Sequence, residues 1–510
     1  MEHKILKTSI FSLDTVFCGS AEQAIDMDFA LPDYYTDISK ILKCRAIPRI
    51  SSKSINGDRV LVEGYVTITV IYCGNDNNVS SYEQQYPFSK NIETGVDLEG
   101  CILNAKTRCE YINCRAITSR KIDVHGAVGI YVKLKRRNCI DVLSDCDDVN
   151  VELLQGTLPA TIPLGCAEKY LNIEEEIELG TGQPDIGCII RYDADATITD
   201  SKIMAGKSVV KGQLNVKLLY SPENEYAPQT VRYQLPFSQL IEVDGISDGC
   251  DCDSSVSIAQ LEIKPRVSAS GECRQLMLNA KLLVTSECCC NDDVAVILDA
   301  YSRKFETKVD KNEICINKIY ENINQNFNCK REFDFSEGSL CSVLDMWCEV
   351  GSANVKFEEN AMRVFGNVMV YVLADDDDKT PVFYEKEIEF EFSHPMNIDG
   401  KFKSLPQITV TGANYMLSGD NSMEIRVELN VVASVYKCSK ASLITDIGID
   451  DSKLRDKGNR GAMTIYYAAD GEKIWDIAKK YYANVEEIKQ MNELSQDVIT
   501  GDKMILISNN

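Results

Sequence analysis

The side chains able to do chemistry are few in kind and poorly grouped. Three histidines are present, His3, His125 and His394. Acyl transfer by a Cys–His or Ser–His–Asp machine needs an imidazole beside a nucleophile and an orienting group. His125 instead stands in an alternating apolar stretch, and His394 precedes Pro395. Ala205-Gly206-Lys207-Ser208 has the end of a phosphate-binding loop, but Ser201 occupies the place of its first glycine. Val209-Val210 then begins a strand, where phosphate binding requires a helix N-terminus. Gly206-Lys207 therefore reads as a turn. Asp375–Asp378 lacks the spaced ligands of a calcium loop and reads as a solvated hairpin tip. No catalytic constellation, metal site or cofactor emerges, so the chain is not expected to be an enzyme.

The 21 cysteines run from Cys18 to Cys438. Their nearest groupings are Cys109 with Cys114, Cys250 with Cys252, and Cys288-Cys289-Cys290. Zinc sites are built on Cys-x2-Cys pairs or histidine partners, and neither pattern occurs. In a long chain without an export signal, the expectation is reduced thiols packed as small apolar groups. A metal site joining Cys250 and Cys252 to Cys288–Cys290 is the alternative.

Composition narrows the function classes further. The chain has 510 residues, 44% of them hydrophobic, with 54 Lys+Arg against 78 Asp+Glu and a formal net charge of −24. That apolar fraction belongs to folded domains. The charge repels phosphate backbones, and the one basic run, Lys133-Leu134-Lys135-Arg136-Arg137, leads straight into Asp141, Asp145, Asp147 and Asp148. Nucleic acid is not an expected partner. The N-terminus lacks a secretory signal, and no stretch reaches the roughly 18–20 apolar residues of a spanning helix. A soluble, intracellular protein without membrane insertion is expected.

Along the strand-forming stretches one pattern recurs three times. Val60–Tyr72 alternates around Gly64, Val209–Tyr220 around Gly212, and Val364–Val372 around Gly366. The glycines fall about 150 residues apart. Each strand is followed by a charged loop and a Phe-Ser pair: Phe88-Ser89, Phe237-Ser238 and Phe392-Ser393. Val66/Ile68/Val70, Leu214/Val216/Leu218 and Val368/Val370/Val372 have period two, which buries one face of a strand. A glycine inside such a strand marks a bulge or a close backbone approach. Later runs alternate too: Ile122/Val124, Leu276/Leu278/Ala280/Leu282 and Ile425/Val427/Leu429/Val431. The expected fold is mainly β, with three tandem β-sandwich-like repeats.

Alternation stops near Tyr436, and residues 439–463 read as a linker with one apolar patch from Leu443 to Ile449. Beyond it, Thr464–Ala468 reads as a strand. Ile474, Ile477, Ala478 and Tyr481 form a helical stripe. Asn484 with Glu487 caps a second helix, and Lys503–Ile507 is a last strand. The order is β-α-α-β. Tyr466, Asp470–Ala478, Tyr481, Val485–Ile488, Met491-Asn492, Leu494 and Ile499–Met504 resemble a LysM domain. That resemblance implies a groove between two loops that binds N-acetylglucosamine polymers. Here the groove residues are Asp470, Gly471, Glu472, Lys473, Ile474, Trp475, Asp497, Ile499, Thr500 and Gly501. The loops depart from the family: Glu472-Lys473-Ile474 replaces the usual Asp-Thr/Ser-Leu, and Thr500-Gly501-Asp502 replaces Pro-Gly-Gln. Tyr482 stands where a glycine often closes the first helix. Those departures favour protein over sugar as the ligand. Trp475 reads either as a core anchor or as a partly exposed contact.

Three strand-rich repeats with one terminal LysM together resemble the clostridial spore-coat family SipL, whose repeats are of the SPOCS type. On that resemblance, residues 1–150, 151–300 and 301–438 are SPOCS-like β repeats, 439–463 is the linker and 464–510 is the LysM domain. The resemblance implies a non-enzymatic morphogenetic scaffold in the mother-cell cytoplasm, recruited to the forespore surface. Its LysM domain would dock onto a SpoIVA-type coat ATPase alongside other coat proteins. The alternative is a protein that binds peptidoglycan or cortex glycan.

Overall fold

The computed structural model describes residues 5–204, 206–223, 227–268, 271–335, 340–418, 422–455 and 461–508. Strands hold 78% of residues and helices 3%, so the fold is mainly β as the alternation requires. The first unit runs β1 (Ile5–Ala30), β2 (Ile38–Asn56), β3 (Arg59–Gly74), β4 (Val79–Glu93), β5 (Cys101–Thr118) and β6 (Lys121–Cys146). The second runs β7 (Val151–Glu178), β8 (Ile186–Met204), β9 (Lys207–Pro222), β10 (Gln229–Glu242), β11 (Cys250–Arg266) and β12 (Gln275–Ser302). The third runs β13 (Phe305–Asp334), β14 (Ser342–Glu358), β15 (Ala361–Asp375), β16 (Pro381–Pro395), β17 (Lys401–Ser404), β18 (Gln407–Leu417) and β19 (Ser422–Leu454). The C-terminal module is β20 (Met463–Ala468), α1 (Ile474–Tyr481), α2 (Val485–Met491) and β21 (Lys503–Ser508).

Each unit is a pair of antiparallel sheets. In the first they are β2-β3-β4 and β1-β6-β5, in the second β8-β9-β10 and β7-β12-β11, and in the third β14-β15-β16 and β13-β19 with β17 and β18. The period-two residues of the central strands meet between the sheets. Val66, Ile68 and Val70 of β3 pack with Ile122, Val124 and Val128 of β6, and the other two units repeat this arrangement. Burying those side chains is the main source of stability.

The repeated glycines have a shared cause. Gly64, Gly212 and Gly366 lie opposite Phe88, Phe237 and Phe390 across the sheet, and each phenyl ring covers its glycine. On the other side the neighbouring strand is shifted in register, at Ile50/Ser52, Ile198/Asp200 and Val350/Ala353. The shift drives the carbonyl oxygens of Arg49, Thr197 and Ser352 into the space a Cβ would occupy. The glycine is therefore both bulge partner and close approach. In the third unit the ring over the glycine is that of Phe390, two places before the Phe392 of the sequence pattern.

Three units close around a common centre. Ile71, Leu219 and Leu373, each at the same offset from its unit's glycine, meet with Leu42, Ile190 and Trp347. A second shared cluster joins Val142, Val296 and Leu443, and a third joins Leu143, Ile297 and Ile444. Between the units, equivalent positions carry different chemistry. Arg45, Asp193 and Trp347 lie opposite Thr69, Lys217 and Tyr371 in their own sheets. Arg45 pairs with Asp193 and, at 2.9 Å, with Glu349; Arg191 pairs with Asp193 and Asp345. Lys217 reaches Asp345 at 2.5 Å, and the Arg191 guanidinium lies 4.0 Å from the Trp347 ring centroid. The junction between the units is thus complementary in charge.

Residues 439–454 are not linker: they continue β19, paired with β13, so the third unit extends past residue 438 to Leu454. The apolar patch Leu443–Ile449 is what anchors that strand in the shared clusters. The remainder of the linker includes residues 456–460, which lie outside the described residues. Nor are all cysteines single thiols. The β11–β12 register sets Cys250 opposite Cys290 and Cys252 opposite Cys288, with Cα–Cα separations of 4.3 and 4.1 Å, and both pairs are disulfides. Those separations match the closer of the two antiparallel pair types. Ala205 lies outside the described residues; Gly206, at φ 73°, turns β8 into β9. Asp375–Asp378 sits at the β15–β16 turn, where Asp376 accepts from the backbone N–H groups of Asp378 and Thr380.

Candidate functional site

The C-terminal module folds around α1. Ile474, Ile477 and Ala478 turn inward against Ala468, Ile488, Ile499, Ile505 and Ile507. The helix ends at Tyr482, a left-handed residue at φ 56° whose N–H reaches the Lys479 carbonyl. Glycine is the usual occupant of that position. Tyr482 holds it with its ring stacked against the Arg455 guanidinium, 4.0 Å from the centroid. The second helix starts at Asn484, whose side chain accepts from the Glu487 N–H at 2.8 Å, the N-cap bond its spacing predicts. Asn492 fastens α2 to the last strand through Leu506, donating to its carbonyl at 2.7 Å and accepting from its N–H at 2.8 Å.

The two candidate loops are brought together. Gly471 N–H donates to the Ile499 carbonyl at 2.9 Å, Ile499 N–H to Glu472 at 2.8 Å, and Ile474 N–H to Asp497 at 2.9 Å. Asp470 closes the end by accepting from Gly501 N–H at 2.7 Å. Gly471 and Gly501 both have positive φ, 83° and 71°, which the tight loop ends require. Glu472 accepts from the Tyr466 hydroxyl at 2.7 Å and the Ala469 N–H at 3.0 Å. The Tyr466 bond, then the Ala469 bond, hold its carboxyl below the ordinary range. Asp497 pairs with Lys489 at 2.6 Å. Asp470, Gly471, Lys473, Asp497, Thr500 and Gly501 are exposed, whereas Ile474 and Ile499 are core.

Trp475 stands apart from this group. It is 8% exposed and faces the second unit. Its indole N–H donates to Asp299 on β12 at 3.0 Å, and its ring meets Tyr301 edge-on at 5.0 Å. Lys479 also reaches Asp299, at 2.5 Å. The Tyr301 hydroxyl donates to the Ala483 carbonyl at 2.7 Å, and Asn484 donates to Glu152 on β7 at 2.8 Å. Burial pushes the Asp299 carboxyl up, but hydrogen bonds from Lys479, Trp475 and Lys311 outweigh it and the group sits below the usual carboxylate range. Of the two readings of Trp475, the structure supports the anchor. It anchors the module to the body as well as to its own core.

One feature of the module was not singled out from the sequence. Met463, Ile465 and Tyr467 alternate along the outer face of β20, and Tyr467 pairs with Met504 on β21. All four are exposed, Tyr467 at 79%. The signal was present in the period-two spacing of Met463, Ile465 and Tyr467, which points apolar side chains away from the helices. Exposed apolar groups this close together mark interaction surfaces.

Residues 37–117 and 185–266 match the family model described as SipL, SPOCS domain. The two segments span β2 to β5 of the first unit and β8 to β11 of the second. In these two units the chain is SipL-like. The matched family is sporulation-related and is not a known enzyme family. No curated protein and no solved structure matched the chain. Among the described residues, no helix is long and apolar enough to cross a membrane.

Proposed function

We propose that the chain is a non-enzymatic scaffold of spore-coat assembly. Its three β units form a body that carries the C-terminal, LysM-like module and presents it to a SpoIVA-type coat ATPase at the forespore surface. The observation that carries this reading is the orientation of the module. Trp475 is turned inward onto Asp299 and Tyr301, while Met463, Ile465, Tyr467 and Met504 face solvent. The contact surface is that sheet face, together with the exposed loop residues Asp470, Gly471, Lys473, Asp497, Thr500 and Gly501.

A protein ligand is favoured over a glycan on physical grounds. Sugar rings are commonly held by an aromatic face, and the one aromatic among the candidate loop residues, Trp475, is buried. The test is affinity capture from sporulating cells with the full chain and with a chain ending at Leu454. Recovery of the coat ATPase by the full chain alone is expected. Equal recovery by both would refute the module as the docking element, and sedimentation of the full chain with insoluble peptidoglycan would favour the glycan reading.

A further inference from the structure

A cavity of 890 Å³ opens where the three units meet, between the second and third. One wall is β11, the edge strand of the sheet β7-β12-β11; β13, β18 and β19 of the third unit stand opposite, and Lys133 and Lys135 come from the first. Cys252, Cys288 and Cys289 line it. The two cross-strand disulfides lie two residues apart along each strand, so their four sulfurs share one face of the hairpin. Each pair joins a buried cysteine to a half-buried one, Cys250 to Cys290 and Cys288 to Cys252, and of the two half-buried cysteines it is Cys252 that lines the cavity. The cavity therefore gives access to the Cys252–Cys288 pair, through its half-buried member Cys252.

Cys289 has the opposite character. It alternates to the other face, and burial, with Asp251, Glu287 and Asp253 nearby, pushes its thiol up to about 12. A protonated thiol is a poor nucleophile, which leaves the neighbouring disulfide free from internal attack by Cys289.

We propose that Cys252–Cys288 is a thiol–disulfide exchange site, opened and closed through this cavity by low-molecular-weight thiols and their disulfides. A thiolate RS⁻ attacks the Cys252 sulfur, a bond forms between R–S and Cys252, and Cys288 leaves as a thiolate that takes a proton from solvent. A second RS⁻ attacks the R–S sulfur of the mixed disulfide. RSSR departs and Cys252 is released as a thiolate, so two electrons pass from two thiols to the protein. RSSR drives the reverse. Oxidation staples the edge strand β11 to β12; reduction leaves that wall held by its backbone ladder. Cys250–Cys290, neither of whose cysteines lines the cavity, exchanges more slowly.

The test uses the full chain incubated with oxidised or reduced glutathione, quenched in acid, alkylated, digested and read by mass spectrometry. Oxidised glutathione is expected to give the linked pairs Cys250–Cys290 and Cys252–Cys288. Limited reduced glutathione is expected to give an adduct on Cys252 at least tenfold above that on Cys288 or Cys289. Ser255→Trp, at an exposed position on the cavity wall, should slow that adduct at least tenfold while alkylation of the exposed Cys18 keeps its rate. Free alkylation of all four cysteines after oxidised glutathione, different pairing, an adduct mainly on Cys289, or no slowing in Ser255→Trp would each overturn the proposal.

Discussion

The indole nitrogen of Trp475 lies 3.0 Å from the carboxylate of Asp299, and this bond ties the terminal module to a strand of the second unit. The same carboxylate receives Lys479 at 2.5 Å and Lys311 at 3.2 Å. Together with the Tyr301–Ala483 and Asn484–Glu152 bonds, this acidic side chain fixes how the module is presented.

Removing it should loosen the module's attachment without unfolding the module. Asp299→Ala leaves the Trp475 N–H and the Lys479 ammonium unpaired, a loss of about 1–3 kcal/mol from the docking contact. Lys479→Ala removes one of the donors to Asp299 and is expected to act in the same direction, more weakly. Limited proteolysis of the full chain should show faster cleavage between Leu454 and Met463 in both variants, with the β units still intact.

The contact should also depend on pH. Because the folded Asp299 has a depressed pKa, its stabilisation is complete above the unfolded value of about 3.9 and is lost as pH falls through the folded value. Attachment of the module, read as its retention under limited proteolysis, should therefore hold at neutral pH and weaken only in acid below about pH 4. Asp299→Asn should show weaker protection at neutral pH and a flatter acid response, measured with an acid-active protease.

The glycines under the phenyl rings should tolerate no side chain. Gly212→Ala places a Cβ against the Thr197 carbonyl and the Phe237 ring, and is expected to cost about 1–3 kcal/mol in denaturant unfolding. Gly249→Ala is the control: nothing lies within 4 Å of its Cβ position, and its midpoint should hardly move.

The junction between units depends on buried charge. The Arg191 and Asp345 side chains are each 3% exposed, so Asp345→Ala takes one of two carboxylates from a buried guanidinium and the partner from Lys217, and should cost about 3–5 kcal/mol. Lys43→Ala breaks an ion pair with Glu385, whose side chain is 45% exposed, and its ion-pair loss should stay within about 0–1 kcal/mol. Denaturant unfolding monitored by circular dichroism compares the two.

What the sequence made legible was local. Period-two alternation around Gly64, Gly212 and Gly366 is set by the strand itself, and the Ile474–Tyr481 stripe by the helix, so both could be read without the fold. The pairing partner of Gly366 needed the β15–β16 register, which is why Phe390 and not Phe392 covers it. Ser439–Leu454 looked like linker because much of its surface is polar, although Leu443 and Ile444 are wholly buried by the other two units. The disulfide partners are separated by 40 and 36 residues and are brought opposite by register alone. Asp299 carries no local signal either; its partners come from a module far along the chain. Within the candidate site, the sequence located the loops and the N-cap, but not the direction in which Trp475 points.

The most direct test of the scaffold account is the dissociation constant of the full chain for a purified SpoIVA-type coat ATPase, measured by biolayer interferometry with Ile465→Arg/Tyr467→Arg as the comparison. Both substituted positions are exposed, at 56% and 79%, so the melting temperature should be retained. The account predicts tight binding by the native chain and at least a tenfold weaker constant for the variant. Equal constants, with both proteins folded, would contradict it.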